Sequence, residues 1–83
     1  MSRTGADTEA LVRYLIESLV DKPESASVNA VSGDGTVKFE VVLDTEDVGK
    51  IIGRGGRIIK AIRTLARAAG STEGLMVDVE VMG

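Results

Sequence analysis

The sequence predicts an α+β fold in which three helices cover one face of a three-stranded mixed sheet. Three observations carry this. Two segments, Leu11–Val20 and Ile58–Ala69, repeat apolar residues at three- and four-residue intervals, the period of an amphipathic helix. Two others, Thr36–Leu43 and Leu75–Val81, alternate apolar and polar residues as half-buried strands do. Between the strand ending at Leu43 and the last helix, Gly53-Arg54-Gly55-Gly56 interrupts a helical pattern that restarts at once.

Each element follows from its residues. Asp7 is placed to cap a first helix that runs to about Val20, with Leu11, Val12, Leu15, Ile16, Leu19 and Val20 as its apolar stripe. Pro23 ends it, because the residue before a proline is pushed out of helical space. The polar side carries Arg13 and Glu17 rather than a basic face, so the stripe is expected in the core and not on a membrane surface. Val28–Val31 reads as a short strand, Ser32-Gly33-Asp34-Gly35 as a turn, and Thr36–Leu43 as the second arm of a hairpin. No lysine or hydroxyl follows the turn glycines at the spacing of a phosphate loop.

Thr45 is expected to cap a short helix whose first turn holds Glu46 and Asp47, where the helix dipole favours negative charge. Adjacent helical carboxylates do not face each other, so these two make no acid–base pair. The last helix is expected from Arg57 to Ala69, ended by Gly70. Ile58, Ile59, Ile62, Leu65, Ala66 and Ala69 share one face, and Arg57, Lys60, Arg63, Thr64 and Arg67 the opposite arc. Two helices between Leu43 and Leu75 suit a crossover, which makes the strands they join parallel. Residues 7–82 are expected to form one domain, with residues 1–6 a disordered tail.

Composition removes several function classes. Eighty-three residues allow one modest core but not a deep catalytic pocket between lobes. Cysteine and histidine are both absent, so thiolate and imidazole chemistry and the common zinc sites are excluded. No nucleophile–base pair or cofactor fingerprint is present, and the expectation is a protein that is not an enzyme and needs no cofactor or metal. No apolar run approaches the ~20 residues a membrane helix needs, and Met1–Gly5 is polar. The expected location is the cytoplasm.

Charge is segregated. The chain is acidic, net −3, yet six basic residues (Lys50, Arg54, Arg57, Lys60, Arg63 and Arg67) lie between positions 50 and 67 with no acid among them. Such a stripe can steer a polyanion to one face of an acidic protein. The glycine loop sits inside it. Bare backbone at Gly53, Gly55 and Gly56, arginines at Arg54 and Arg57, and a helix N-terminus behind them suit close approach to a sugar-phosphate chain.

Ile52 to Ile59 spells I-G-x-x-G-x-x-I, the signature of the KH nucleic-acid-binding module, and the element order resembles the type II KH fold from end to end. More narrowly, Leu11 to Val81 resembles the KhpA family of small bacterial stand-alone KH proteins. The resemblance rests on Leu19-Val20-Asp21-Lys22-Pro23, on Asp47 to Arg54, and on Gly56 to Thr64. It implies sequence-relaxed binding of single-stranded RNA, a homodimer, and pairing with a larger KhpB-like KH protein. The expected role is that of an RNA chaperone or post-transcriptional regulator. A KH module for single-stranded DNA, or one used mainly for protein docking, is the alternative.

The expected site comprises Lys50, Ile51, Gly53, Arg54, Gly55, Gly56, Arg57, Ile59, Lys60 and Arg63. The loop would press on the backbone of about four nucleotides. Arg54 and Arg57 would neutralise phosphates, with Lys50 and Lys60 extending the positive rim. Bases would turn onto an apolar floor of Ile51, Ile59, Ile62 or a strand residue such as Val41, while Ile52 and Ile58 could equally be core. With only Tyr14 and Phe39 as aromatics, neither in the loop segment, stacking is not expected to carry binding and sequence discrimination should be weak.

Overall fold

A computed structural model describes residues 5–82. Helix α1 (Ala6–Leu19) is followed by a 3-10 turn at Pro23–Ser25, the hairpin β1 (Ser27–Ser32) and β2 (Thr36–Val42), helix α2 (Thr45–Ile52), the glycine loop, helix α3 (Arg57–Thr72) and strand β3 (Met76–Met82). The sheet order is β1-β2-β3, antiparallel between the first pair and parallel between the second. This is the α+β arrangement expected of a type II KH domain. Of the expected tail, residues 1–4 lie outside the described residues, whereas Gly5 is buried and Ala6 already opens α1.

Strand alternation sets the core. In β2, Val37, Phe39 and Val41 point inward, and their partners Val77, Val79 and Val81 on β3 and Val28 and Ala30 on β1 share that side. Against this face pack Val12 and Ile16 of α1, Ile51 of α2, and Ile59, Ile62 and Ala66 of α3. Phe39 lies fully buried among them. Burying a side chain of this kind is worth ~1.5–3 kcal/mol, so one layer of helices over one sheet holds a chain of this size. On the other face, Lys38 spans Glu40 at 3.5 Å and Glu80 at 3.3 Å.

Three helix ends differ from expectation, each for a local reason. Asp7 does not cap α1. Gly5 is the N-cap, and the Thr8 N–H is satisfied from the far end of the chain by Glu73 Oε1, which also accepts the Thr8 hydroxyl at 2.7 Å. Asp44, not Thr45, caps α2: its side chain accepts the Glu46 N–H at 2.9 Å.

Gly70 does not end α3 but lies inside it, because the helix there runs too close to β3 for a side chain. A Cβ on Gly70 would come within 2.2 Å of Val77 Cγ2. The stop is Gly74, in left-handed conformation at φ 73°. Leu75 N–H bonds to Gly70 C=O and Gly74 N–H to Ser71 C=O, which together form a Schellman motif.

Candidate nucleic-acid interface

The loop is shaped by its glycines. Gly53 terminates α2 with φ 74° and ψ 171°, a region essentially closed to residues with a Cβ. A Cβ there would meet Ile58 Cγ1 at 2.6 Å and Ile58 Cβ at 2.9 Å, so the bend at Gly53 leaves no room for a side chain beside α3. Gly55 and Gly56 take left-handed conformations at φ 64° and 75°, and a Cβ on either would meet nothing within 4 Å. Their outer side is open. Gly56 is also the N-cap of α3, where no side chain caps the helix and no acid occupies the first turn. Gly56 N–H and Arg57 N–H bond back to Gly53 C=O and Arg54 C=O, and the positive end of the helix dipole lies next to the loop.

Ion pairing sorts the basic residues sharply. Among the described residues, Arg13, Lys22, Lys38, Lys50, Arg63 and Arg67 each have a carboxylate within 4 Å. Arg54, Arg57 and Lys60 have none, and all three are exposed. These three are the loop arginine and the first two basic positions of α3.

Lys50 turns away from them. Its ammonium bonds the Asp21 carboxylate and stands 3.6 Å from Asp47. The Asp21 hydrogen bond, followed after the opposing effect of burial by the Asp21 and Asp47 charges, raises its pKa above the ordinary lysine value. Lys50, expected on the positive rim, thus has its ammonium engaged by these two carboxylates.

Further along α3, the arginines reach across to the outer edge of β3. Arg63 Nε donates to Val79 C=O at 3.0 Å, and Arg67 Nε to Val77 C=O at 3.4 Å. Asp78 sits between them, 3.3 Å from Arg67 and 3.8 Å from Arg63. Lys60, Arg63, Thr64, Arg67 and Asp78 line a cleft of about 390 Å³. A second cleft of about 450 Å³ opens beside Arg67 toward Thr36, Lys38 and Met76, further from the loop.

The residues expected to floor a base groove are core members. Ile51 is completely buried and Ile59 is 4% exposed, as core members beside Ile62 and Val41. Side chains already enclosed by the sheet and helices present no face to a base. Ile52 and Ile58 are the half-buried pair flanking the loop.

The structure thus brings Gly53, Arg54, Gly55, Gly56, Arg57 and Lys60 together on one surface. It connects Arg63 to the β3 edge, pairs Lys50 with Asp21 and Asp47, and buries Ile51 and Ile59 in the core. Thr64, Arg67 and Asp78 join the cleft. The helical period had put the first two on the basic arc, but Asp78 is marked only by the packing of α3 on β3.

Residues 9–81 match the KH domain of the KhpA/KhpB family. The chain belongs to that family. It is 47% identical over 72 residues to the RNA-binding protein KhpA of Clostridium perfringens, covering 87% of this chain and 96% of that one. It is 38% identical over 82 residues to the KhpA of Borreliella burgdorferi, covering 99% of each. Among solved structures it resembles Aquifex aeolicus Era bound to GDP and AlF4−, with a TM-score of 0.64 and 25% identity. That match covers 89% of this chain and 29% of Era, so the chain spans under a third of that protein. In this KH domain the paired glycines of the signature are Gly53, which lets the helices meet, and Gly56, which starts the second one.

Proposed function

We propose that this KH domain binds the backbone of single-stranded RNA at the loop Gly53–Gly56 and acts by that binding rather than by catalysis. The observation that carries the reading is the coincidence of two features. The outer side of Gly55 and Gly56 is open to a close-lying chain, and the cations that lack a carboxylate partner among the described residues, Arg54, Arg57 and Lys60, lie in the loop and the first turn of the helix that follows it. Phosphates would meet Arg54, Arg57 and the α3 N-terminus, and the strand would continue past Lys60 toward the cleft at Arg63 and Thr64. The names of the KhpA relatives support RNA as the ligand. Backbone contacts of this kind position a nucleic acid without reading its sequence, which supports weak discrimination.

One groove for about four nucleotides, without stacked aromatics, binds weakly. Pairing two grooves raises avidity ~10²–10⁴-fold. A homodimer, or a heteromer with a KhpB-like protein, is therefore the proposed working unit, in the cytoplasm, with RNA chaperoning or post-transcriptional regulation as its role. An exposed apolar strip on α3, with Leu65 50% exposed between Ala61 and Ala68, supports self-association.

The test replaces Arg54 and Gly55 with aspartate in one variant. RNA binding is expected to vanish while the melting curve shows a folded domain. Full binding by that folded variant refutes the site, and a DNA oligomer outcompeting RNA of the same sequence refutes the ligand.

A further inference from the structure

Two of the motifs that marked the family, Leu19–Pro23 and Asp47–Arg54, touch each other at the first turn of α2. Their junction is Asp47. Its carboxylate is 1% exposed, with Oδ1 accepting the Asp21 N–H at 3.1 Å and Oδ2 the Lys22 N–H at 3.0 Å. These amides lie just past the end of α1, where no helical partner serves them. The Lys50 ammonium closes the third side by bonding Asp21 and approaching Asp47. Outside this, the Lys22 ammonium bonds Glu46 and stands 3.7 Å from Asp44, the N-cap of α2.

The result is a clasp of backbone and side-chain bonds between the α1–Pro23 connector and the first turn of α2. Burial alone would raise the pKa of Asp47. The two amides and the Lys50 charge outweigh it and hold the carboxyl below the ordinary aspartate value. The charged form is what the site is built for.

This clasp controls a degree of freedom that the core leaves loose. Ile51, one turn after Asp47 on the same face, anchors α2 to the sheet by apolar contact, which is non-directional and tolerates rotation of the helix about its axis. Hydrogen bonds to two fixed amides are directional and do not. α2 is eight residues long, ~12 Å, and it ends directly in Gly53. A rotation of so short a helix passes directly into the loop backbone, because no segment lies between Ile52 and Gly53 to absorb it.

We infer that Asp47 is a positioning residue for the RNA-binding loop, and that Lys50 serves this clasp instead of the phosphate path. The inference rests on the proposed RNA-binding function. Asp47→Asn keeps the shape but sets an amide donor against a backbone donor. The experiment measures the affinity of Asp47→Asn and Lys50→Met for a ten-nucleotide RNA across a salt series, well below either melting temperature. The N–H signals of Gly53, Gly55 and Gly56 are followed by NMR.

Asp47→Asn is expected to lose about fivefold or more in affinity while folded. Lys50→Met should lose less, about twofold, with an unchanged salt slope, and both should shift the three glycine signals. An affinity equal to wild type in folded Asp47→Asn overturns the positioning role. A slope shallower by ~0.7 in Lys50→Met makes Lys50 a phosphate ligand and overturns its assignment. Should Asp47→Asn not fold, Lys50→Met decides alone, and unshifted loop signals in it overturn the inference. Failure of the wild-type chain to bind RNA would instead refute the function.

Discussion

Alanine at each loop glycine should separate what shapes the loop from what touches RNA. At Gly53 the φ 74°, ψ 171° backbone costs a residue with a Cβ ~1–3 kcal/mol. The clash adds to this: the new Cβ would lie 2.6 Å from Ile58 Cγ1 and 2.9 Å from Ile58 Cβ. A Cβ is fixed to its backbone and has no rotamer to retreat into, so α2 and α3 must move apart, at the ~1–3 kcal/mol typical of overpacking. The sum, ~2–6 kcal/mol, is comparable with the ~4–12 kcal/mol total stability expected at ~0.05–0.15 kcal/mol per residue.

At Gly55 and Gly56 the only cost is the left-handed backbone, ~1–2 kcal/mol, because nothing lies within 4 Å. At ~4–8 °C per kcal/mol for a domain of this size, Gly53→Ala should lower the melting temperature by at least ~10 °C. Gly55→Ala and Gly56→Ala should lower it by ~4–16 °C, less than Gly53→Ala in the same measurement. RNA affinity measured at 10 °C should follow another order. Gly55→Ala places a methyl on the open side and should bind poorly while well folded. A Gly53→Ala melt within a few degrees of wild type, or full RNA affinity in Gly55→Ala, would refute this division.

Other outcomes follow from the charges. With Arg54, Arg57 and Lys60 unpaired among the described residues, log affinity against log salt should have a slope of about −2 at ~0.7 per phosphate, and a slope near zero would leave the arc a solvated surface. Asp78→Asn should release Arg63 and Arg67, tightening RNA binding severalfold and steepening that slope; weaker binding would mean Asp78 itself holds the RNA. Asp47, held below its ordinary pKa, stabilises the fold above ~pH 4, and this is lost as pH falls through the lower folded value. Lys22, Lys38 and Lys50, raised by their carboxylate partners, stabilise below ~pH 10.4, and this is lost as pH rises through their folded values. Without histidine, the melting temperature should be flat from ~pH 5 to ~pH 9, and a step near neutrality would contradict these assignments.

Periodicity made the fold legible because each element buries one face only. Val37, Phe39 and Val41 alternate with Lys38 and Glu40, and that pattern alone predicts which side of β2 meets the helices. Helix ends were harder, since their partners come from distant chain: Glu73 completes α1 from 65 residues away. Gly70 and Gly74 are equivalent as sequence signals, and only the nearness of Val77 shows which is a packing glycine and which a stop.

The candidate site was legible where backbone conformation carries it, at Gly53, Gly55 and Gly56. It was less so where a side chain had two apolar or two charged destinations. Four isoleucines surround the loop, and a helical wheel does not separate the buried Ile51 and Ile59 from the half-buried Ile52 and Ile58. Lys50 belonged to an acid-free stretch of sequence, but its partners, Asp21 and Asp47, arrive from another helix end and from the preceding turn.

That same sorting explains how an acidic protein can offer a polyanion site. Exposed ion pairs add little stability, ~0–1 kcal/mol at the median, yet each cancels the field of its own cation. Glu9 does this for Arg13, Glu40 and Glu80 for Lys38, Asp44 and Glu46 for Lys22, Asp21 and Asp47 for Lys50, and Asp78 for Arg63 and Arg67. Among the described residues, the cations left uncancelled are Arg54, Arg57 and Lys60, in the loop and the first turn of α3. Screening confines their reach to ~8 Å at physiological salt. The acids elsewhere repel the same strand. Net charge therefore opposes nucleic-acid binding over most of the surface, and the position of each carboxylate leaves one place where it does not.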